Sequence, residues 1–243
     1  MTAEILTIPC RSDNYAFLMR CSQTGIVALF DAPEAAPILA VLAEKGWNLD
    51  FVFLTHHHPD HIEGLAGLQA EFSPKIIGSK QDSHRLPPLD IAVDEGDRVS
   101  VGALTGTVYD VSGHTINHIA FCFDPDNGNA MFTGDSLMAL GCGRVFEGDM
   151  KMMWESLSKL ARQPAETMVY SGHEYTQANG RFAITIEPEN ADLQARIADI
   201  ADKRQQGIAT VPSLLALELA TNPFLRAGTA ERFAKIRAAK DRF

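Results

Sequence analysis

The chain of 243 residues carries a net charge of −10, with 46% hydrophobic and 21% charged residues. That balance is ordinary for a folded globular protein and excludes a disordered one. The acidic surplus argues against nucleic acid or an anionic membrane as the main partner, and no apolar run nears the ~20 residues that span a bilayer.

Short apolar or β-branched runs predict strands at 4–9, 14–20, 25–32, 51–55, 75–78, 118–123, 130–134 and 167–171. They alternate with helical patterns. One covers 34–45, with Ile38, Val41 and Leu42 as its apolar stripe, and ends near Gly46. A second follows residue 61, with Ile62, Leu65, Leu68 and Phe72 on one face, and a third lies near 150–162. From about residue 174 strand signals give way to helices at 191–206, 212–220 and 229–241, with Pro212 suited to a first helical turn. Two domains are expected: an α/β metal-binding catalytic domain over 1–173 and a small helical substrate-binding domain over 174–243.

Residues 55–61 read Thr55-His56-His57-His58-Pro59-Asp60-His61, directly after the apolar run Phe51–Leu54. His56, His58, Asp60 and His61 are metal-ligand types packed too closely for one ion to take all four, so two ions sharing the loop are expected. Three more candidates each follow a strand-like run and a glycine: His114 after Gly113, Asp135 after Gly134 and His173 after Gly172. A glycine there lets the backbone turn at the strand end, so that a side chain can reach a common site. His57, His84 and His118 do not fit the spacing and read as supporting or surface residues, His57 being the best candidate for supporting a ligand.

The pattern His-x-His-x-Asp-His with distant His, Asp and His resembles the metallo-β-lactamase superfamily, over residues 5–175. The resemblance implies an αββα sandwich. One divalent ion would be held by His56, His58 and His114, the other by Asp60, His61 and His173, with Asp135 bridging. Zinc is the first expectation, with iron and manganese also suited to these ligands. Three further stretches resemble the glyoxalase II (hydroxyacylglutathione hydrolase) family: Gly134–Gly148, His173-Glu174-Tyr175-Thr176, and a tail with Asn222–Arg226 and Arg237–Asp241. That resemblance implies a thioesterase of methylglyoxal detoxification. Attack by metal-generated hydroxide would convert S-D-lactoylglutathione to glutathione and D-lactate, with Asp60 and Asp135 central to catalysis. It also implies glutathione contacts at Arg144, Phe146, His173, Tyr175, Arg237 and Lys240.

The charge pattern agrees: residues 226–243 hold six Lys or Arg against only Glu231 and Asp241, a local cationic stretch in an acidic chain. On a helix Arg237 and Lys240 share one side, with Phe233, Ile236 and Phe243 free to pack inward. Where the family often has Lys and Tyr, this chain has Arg144 and Phe146, so altered glutathione affinity is expected rather than a new reaction. The alternative is a glutathione persulfide dioxygenase with a single iron on the same scaffold. Cys10, Cys21, Cys122 and Cys142 form no CxxC pair and read as buried thiols in a reducing compartment. With no secretion signal at the start of the sequence, a cytoplasmic monomer acting on a small molecule is expected.

Overall fold

The computed structural model describes residues 3–124 and 129–243. Strands β1 (Ala3–Cys10) and β2 (Asn14–Cys21) form an antiparallel hairpin, and β3 (Val27–Phe30) pairs with β2. Strands β4 (Phe51–Phe53), β5 (Lys75–Ser79) and β6 (Ile91–Val93) then add in parallel, giving the order β1-β2-β3-β4-β5-β6. The crossovers carry helix α1 (Ala35–Lys45), the single turn α2 (Pro59–Ile62) and α3 (Leu65–Glu71).

A second sheet runs β14-β13-β10-β9-β8-β7, from β7 (Arg98–Val101), β8 (Leu104–Asp110), β9 (Ile119–Phe123), β10 (Ala130–Gly134), β13 (Met168–Ser171) and β14 (Ser213–Leu214). Between β10 and β13 lie a small ribbon, β11 (Leu137–Met138) with β12 (Gly141–Cys142), and helix α4 (Met150–Leu160). Helices α5 (Thr176–Ile186), α6 (Ala191–Gln205), α7 (Leu215–Thr221) and α8 (Ala230–Lys240) make up most of the remaining chain.

The two-residue period of a strand explains the layering. In β2, Phe17 and Met19 point into a core shared by the two sheets, while Ala16 and Leu18 face the outer layer with Ile38, Leu42, Leu65 and Leu68 of α1 and α3. The shared core is aromatic: Phe30 stacks on Phe132 at 3.5 Å and on Phe53 at 4.9 Å, and Phe17 meets Tyr170 edge-on at 5.1 Å. On the far side of the second sheet, Ala120, Met131 and Val169 pack against Met153 and Leu157 of α4 and Phe233 and Ile236 of α8. The result is an α/β sandwich of two sheets between helical layers, with a helical C-terminal region. Among the described residues no helix is long and apolar enough to cross a membrane.

Three expectations need correction. Strands do not end near residue 174: Ser213 and Leu214 pair with β13, so the C-terminal region completes the second sheet. Pro212 follows a cis peptide bond and precedes that strand, and the helix starts at Leu215. Phe243 is 65% exposed rather than packed inward, because the helix that would turn it inward stops at Lys240.

Candidate metal centre and adjoining pocket

All seven expected ligand residues converge at one edge of the sandwich. His56 and His58 leave the end of β4, Asp60 and His61 sit on the single turn α2, and His114, Asp135 and His173 follow β8, β10 and β13. The turns are tight. Gly134 adopts φ +48°, and a Cβ on Gly172 would lie 2.6 Å from Asp135 Oδ1 and 2.7 Å from the His61 ring. Only glycine leaves room for the cluster there.

Each imidazole is oriented from behind. Nδ1 of His61 donates to Asp31 Oδ2 (2.8 Å), that of His173 to Asp13 Oδ1 (2.9 Å) and that of His114 to the Arg144 carbonyl (2.8 Å). Thr55 Oγ1 donates to Asp31 Oδ2 and so accepts from His56 Nδ1 at 3.0 Å. These four rings therefore aim Nε2 into the site, the arrangement outer hydrogen bonds impose on metal-binding histidines. Asn14 Nδ2 holds Asp60 Oδ2 at 3.0 Å, and His118 is stacked behind His56 at 4.5 Å, accepting the Asp135 N–H. Asp31 also lies near His56 and His61 as a possible ligand trio, but its oxygens are committed to Thr55 and to His61 Nδ1, so it orients rather than ligates.

The donor set fits two ions. His58 Nδ1 lies 3.1 Å from Nε2 of both His56 and His114; both are acceptors, and one N–H on His58 could serve only one of them. Asp60 Oδ2 is 3.4 Å from His173 Nε2 and 3.6 Å from His61 Nε2. Asp135 stands between the groups, with Oδ2 at 3.5 Å from His114 Nε2 and 3.3 Å from His173 Nε2, and Oδ1 at 3.4 Å from His61 Nε2. Ligands about 2.1 Å from a tetrahedral zinc stand roughly 3.4 Å apart, so these gaps are ligand spacings. His61 Nε2 and Asp135 Oδ1 are buried without a hydrogen-bond partner, as a missing cation would leave them.

Charge in the cluster is finely opposed. Burial pushes His56, His58 and His114 below the ordinary imidazole range. Burial also disfavours charge on His61 and His173, but carboxylates outweigh it: Asp135 and Asp31 hold His61 well above 6.5, and Asp135 and Asp60 push His173 up to about 10. Asp135, despite burial, is held low by His61 and His173. Without metal, protons on two imidazoles balance the carboxylates, and a divalent ion must displace them. Because His173 has a raised folded-state pKa, its proton stabilises the metal-free fold fully below about 6.5, and that contribution is lost as pH rises towards about 10. Thermal melts of chelator-treated protein should therefore fall across this interval while metal-loaded protein does not follow. Parallel melting of both forms would contradict it.

A pocket of about 390 Å³ opens from the cluster, lined by His58, Asp60 and Asp135 and also by Arg144, Arg237 and Lys240. Tyr175 stacks on His173 at 4.7 Å, and Phe146, 60% exposed, meets His114 edge-on at 5.3 Å. The expected Arg237–Lys240 pair divides in role. Arg237 is buried, donating to the Cys142 carbonyl (2.8 Å) and Asp241 Oδ1 (3.0 Å), whereas Lys240 is half-buried and donates to the Ala178 carbonyl at 3.3 Å. Arg144 also bonds Asp241, at 3.2 Å. Asp241 is thus shared by two cations, while burial and then Arg237 lower the Lys240 pKa. The cationic end has an anion deficit.

Sequence reasoning missed the orienting residues Asp13, Asn14 and Asp31, which reach their partners across 160, 46 and 30 positions and share no local spacing with the ligands. A polar residue at the end of an apolar strand, as at Asp31, was the one available signal. His57 points away from the cluster onto Asp82, and His84 is exposed.

Known proteins carry the same organisation. Residues 18–173 match the family model of the metallo-beta-lactamase superfamily, and residues 174–243 match that of the hydroxyacylglutathione hydrolase C-terminus. A hydroxyacylglutathione hydrolase of Ruegeria pomeroyi is 55% identical over 257 residues, covering 100% of both chains. That of Methylococcus capsulatus is 45% identical, covering 99% of this chain and 98% of its own. Among solved structures, ETHE1 from Myxococcus xanthus superposes with a TM-score of 0.73 at 27% identity, covering 98% of this chain and 90% of that one. TTHA1623, solved in a di-iron-bound form, gives 0.65 at 25% identity, over 91% and 100%. ETHE1 shares the scaffold, but the match of the helical tail and the full-length identity of the curated relatives are decisive: this chain belongs to the hydroxyacylglutathione hydrolase family of the metallo-beta-lactamase superfamily.

Proposed function

We propose that the protein hydrolyses 2-hydroxyacyl thioesters of glutathione, S-D-lactoylglutathione foremost, releasing glutathione and D-lactate. The observation that carries this reading is one pocket lined both by residues of the metal-ligand cluster and by three cations. Glutathione has two carboxylates to meet those cations and a thioester to reach the cluster. In this reading residues 1–173 are the catalytic domain and 174–243 the substrate-binding domain, and the protein works as a cytoplasmic monomer.

His56, His58 and His114 would hold one divalent ion, Asp60, His61 and His173 a second, and Asp135 both; zinc fits, as do iron and manganese. When bound, such ions activate water and polarise a carbonyl oxygen. The chain's own residues do the rest. Asp135, fixed through its N–H to His118, orients the water against the thioester. Lys240 and Arg144 take up glutathione carboxylate charge, and Arg237 holds the wall behind them through the Cys142 carbonyl. Tyr175 and Phe146 flank the pocket mouth. The glutathione thiol, with a pKa near ~8.5, leaves as thiolate without an obligatory acid. Cys142, also lining the pocket, is no nucleophile: burial pushes its thiol up to about 11.

The test is turnover of S-D-lactoylglutathione by metal-replete protein, with chelator-treated protein and an oxygen electrode alongside. Chelator-sensitive hydrolysis without oxygen uptake supports the hydrolase; oxygen uptake with glutathione persulfide and no hydrolysis would move the chain to the single-iron dioxygenase. In the same assay Lys240→Ala should raise KM about tenfold, the worth of one charged hydrogen bond, with kcat little changed.

A further inference from the structure

On the far side of the histidine run lies a charge cluster that belongs to neither ligand set. His57 Nδ1 donates to Oδ2 of Asp82, a fully buried carboxylate, at 3.0 Å. The other Asp82 oxygen takes Nε of Arg85. Arg85 then spends its remaining donors outward, with Nη1 to Glu147 Oε1 (2.7 Å) and Nη2 to the Ile116 carbonyl (2.9 Å). Glu147 Oε2 accepts the Ile116 N–H at 2.9 Å. A continuous chain of contacts therefore leads from the histidine loop to Glu147, the neighbour of Phe146.

Residues 143–149 have no helix or strand of their own. Phe146 nonetheless holds its ring edge-on to both His58 (5.9 Å) and His114 (5.3 Å), and the Arg144 guanidinium lies 5.9 Å from that ring's centroid. Its backbone is held at three points: Phe146 N donates to the His114 carbonyl at 3.2 Å, Gly143 N to that of Ser136 at 3.1 Å, and the Arg144 carbonyl accepts from His114 Nδ1 at 2.8 Å. An isolated exposed ion pair would add little, but Arg85 is anchored on a buried carboxylate, and its planar fork joins two loops at once.

We propose that Arg85 and Glu147 are positioning residues. They latch the 143–149 loop so that Phe146 walls the pocket beside the ligand imidazoles and Arg144 is carried to the carboxylate end. The latch sets affinity for the glutathione thioester and leaves the chemical step alone. The inference rests on the hydrolase reading above.

The test uses Arg85→Met and Glu147→Gln, each alone and combined with Phe146→Ala, in the metal-loaded protein. KM and kcat for S-D-lactoylglutathione are read together with calorimetric binding of S-methylglutathione, which cannot be hydrolysed. Arg85→Met and Glu147→Gln should each raise KM and the dissociation constant roughly five- to tenfold, with kcat within about twofold. In the Phe146→Ala background each should add only a smaller further loss, the part that Arg144 contributes. Glu147→Gln leaves Asp82 its Arg85 contact, so it keeps the test readable if Arg85→Met does not fold. Unchanged KM and dissociation constant, with or without a lower melting temperature, would overturn the proposal, as would an equal loss in the Phe146→Ala background. A wild-type protein that turns over no thioester would instead bring down the hydrolase reading.

Discussion

In the two-ion reading, Asp60→Asn is expected to cut turnover at least about 100-fold and to leave the protein with one tightly held metal ion instead of two. Outer partners of metal ligands typically cost 10- to 100-fold when removed, so a direct ligand sets about 100-fold as the lower bound. The Asp60 carboxyl is held below the usual carboxylate range, first by His173 and further by His61, so it is charged at any working pH and the substitution removes a full negative charge. The neutral amide would also face the Asn14 side-chain amide, now 3.0 Å away and donating to Asp60. Metal analysis and steady-state rates on the same preparation check this. Near-normal turnover with full metal content would take Asp60 out of the ligand set.

Glu218→Ala should be strongly destabilising. Glu218 is fully buried and accepts from Leu140 N (2.9 Å), Ser213 Oγ (2.6 Å), Asn222 Nδ2 (3.1 Å) and the buried Arg196. Truncation leaves a buried guanidinium and three donors without their carboxylate. Breaking a buried pair from one side costs roughly 3–5 kcal/mol. At about 2–4 °C per kcal/mol for a chain of this size, the melting temperature should drop by roughly 6–20 °C. Glu218→Gln, which keeps the shape and one acceptor, should lose less. The damage should extend to the pocket, because Leu140 turns the β11–β12 ribbon at φ +54° and Arg237 bonds the Cys142 carbonyl on that same ribbon. A melting temperature within about 2 °C of wild type would show that the network is not holding the helical region to the ribbon.

What the sequence revealed of the fold follows from where each signal comes from. Continuous apolar runs such as Ala16–Met19 and Ile119–Phe123 announced strands because both faces of those strands are covered. Helices α4, α6 and α8 lie close to their expected ranges, and each begins at a residue whose side chain caps it: Asp149, Asn190 and Thr229. Strands β7 and β8 were missed because Arg98, Ser100, Thr105 and Thr107 break the apolar run; only alternate residues enter the core. Helix α5 was missed for a different reason. Its buried face includes Thr176, Asn179 and Gly180, and Asn179 is accommodated there by donating to the Ala139 carbonyl at 3.0 Å, a partner on another element. The same limit governs the site. Seven ligand residues sit in motifs and at strand ends and were legible, whereas the carboxylates that aim them answer to contacts made only once the sheets have packed.

The turn that places Asp13 against His173 has a consequence for how the protein is made. His56, His58 and His114 have all been synthesised by residue 114, but the Asp60–His61–His173 trio waits for β13, and His173 is oriented only when Asp13, 160 positions earlier, comes to meet it. The backbone bridge between Asn14 and His173 closes the same loop. In the two-ion reading, the first ion can be captured by a partly made chain, while the second requires the N-terminal hairpin and the second sheet already joined. Filling the second position would then certify that β13 has been made and has met the N-terminal hairpin, making the metal complement a record of that assembly as well as a reagent.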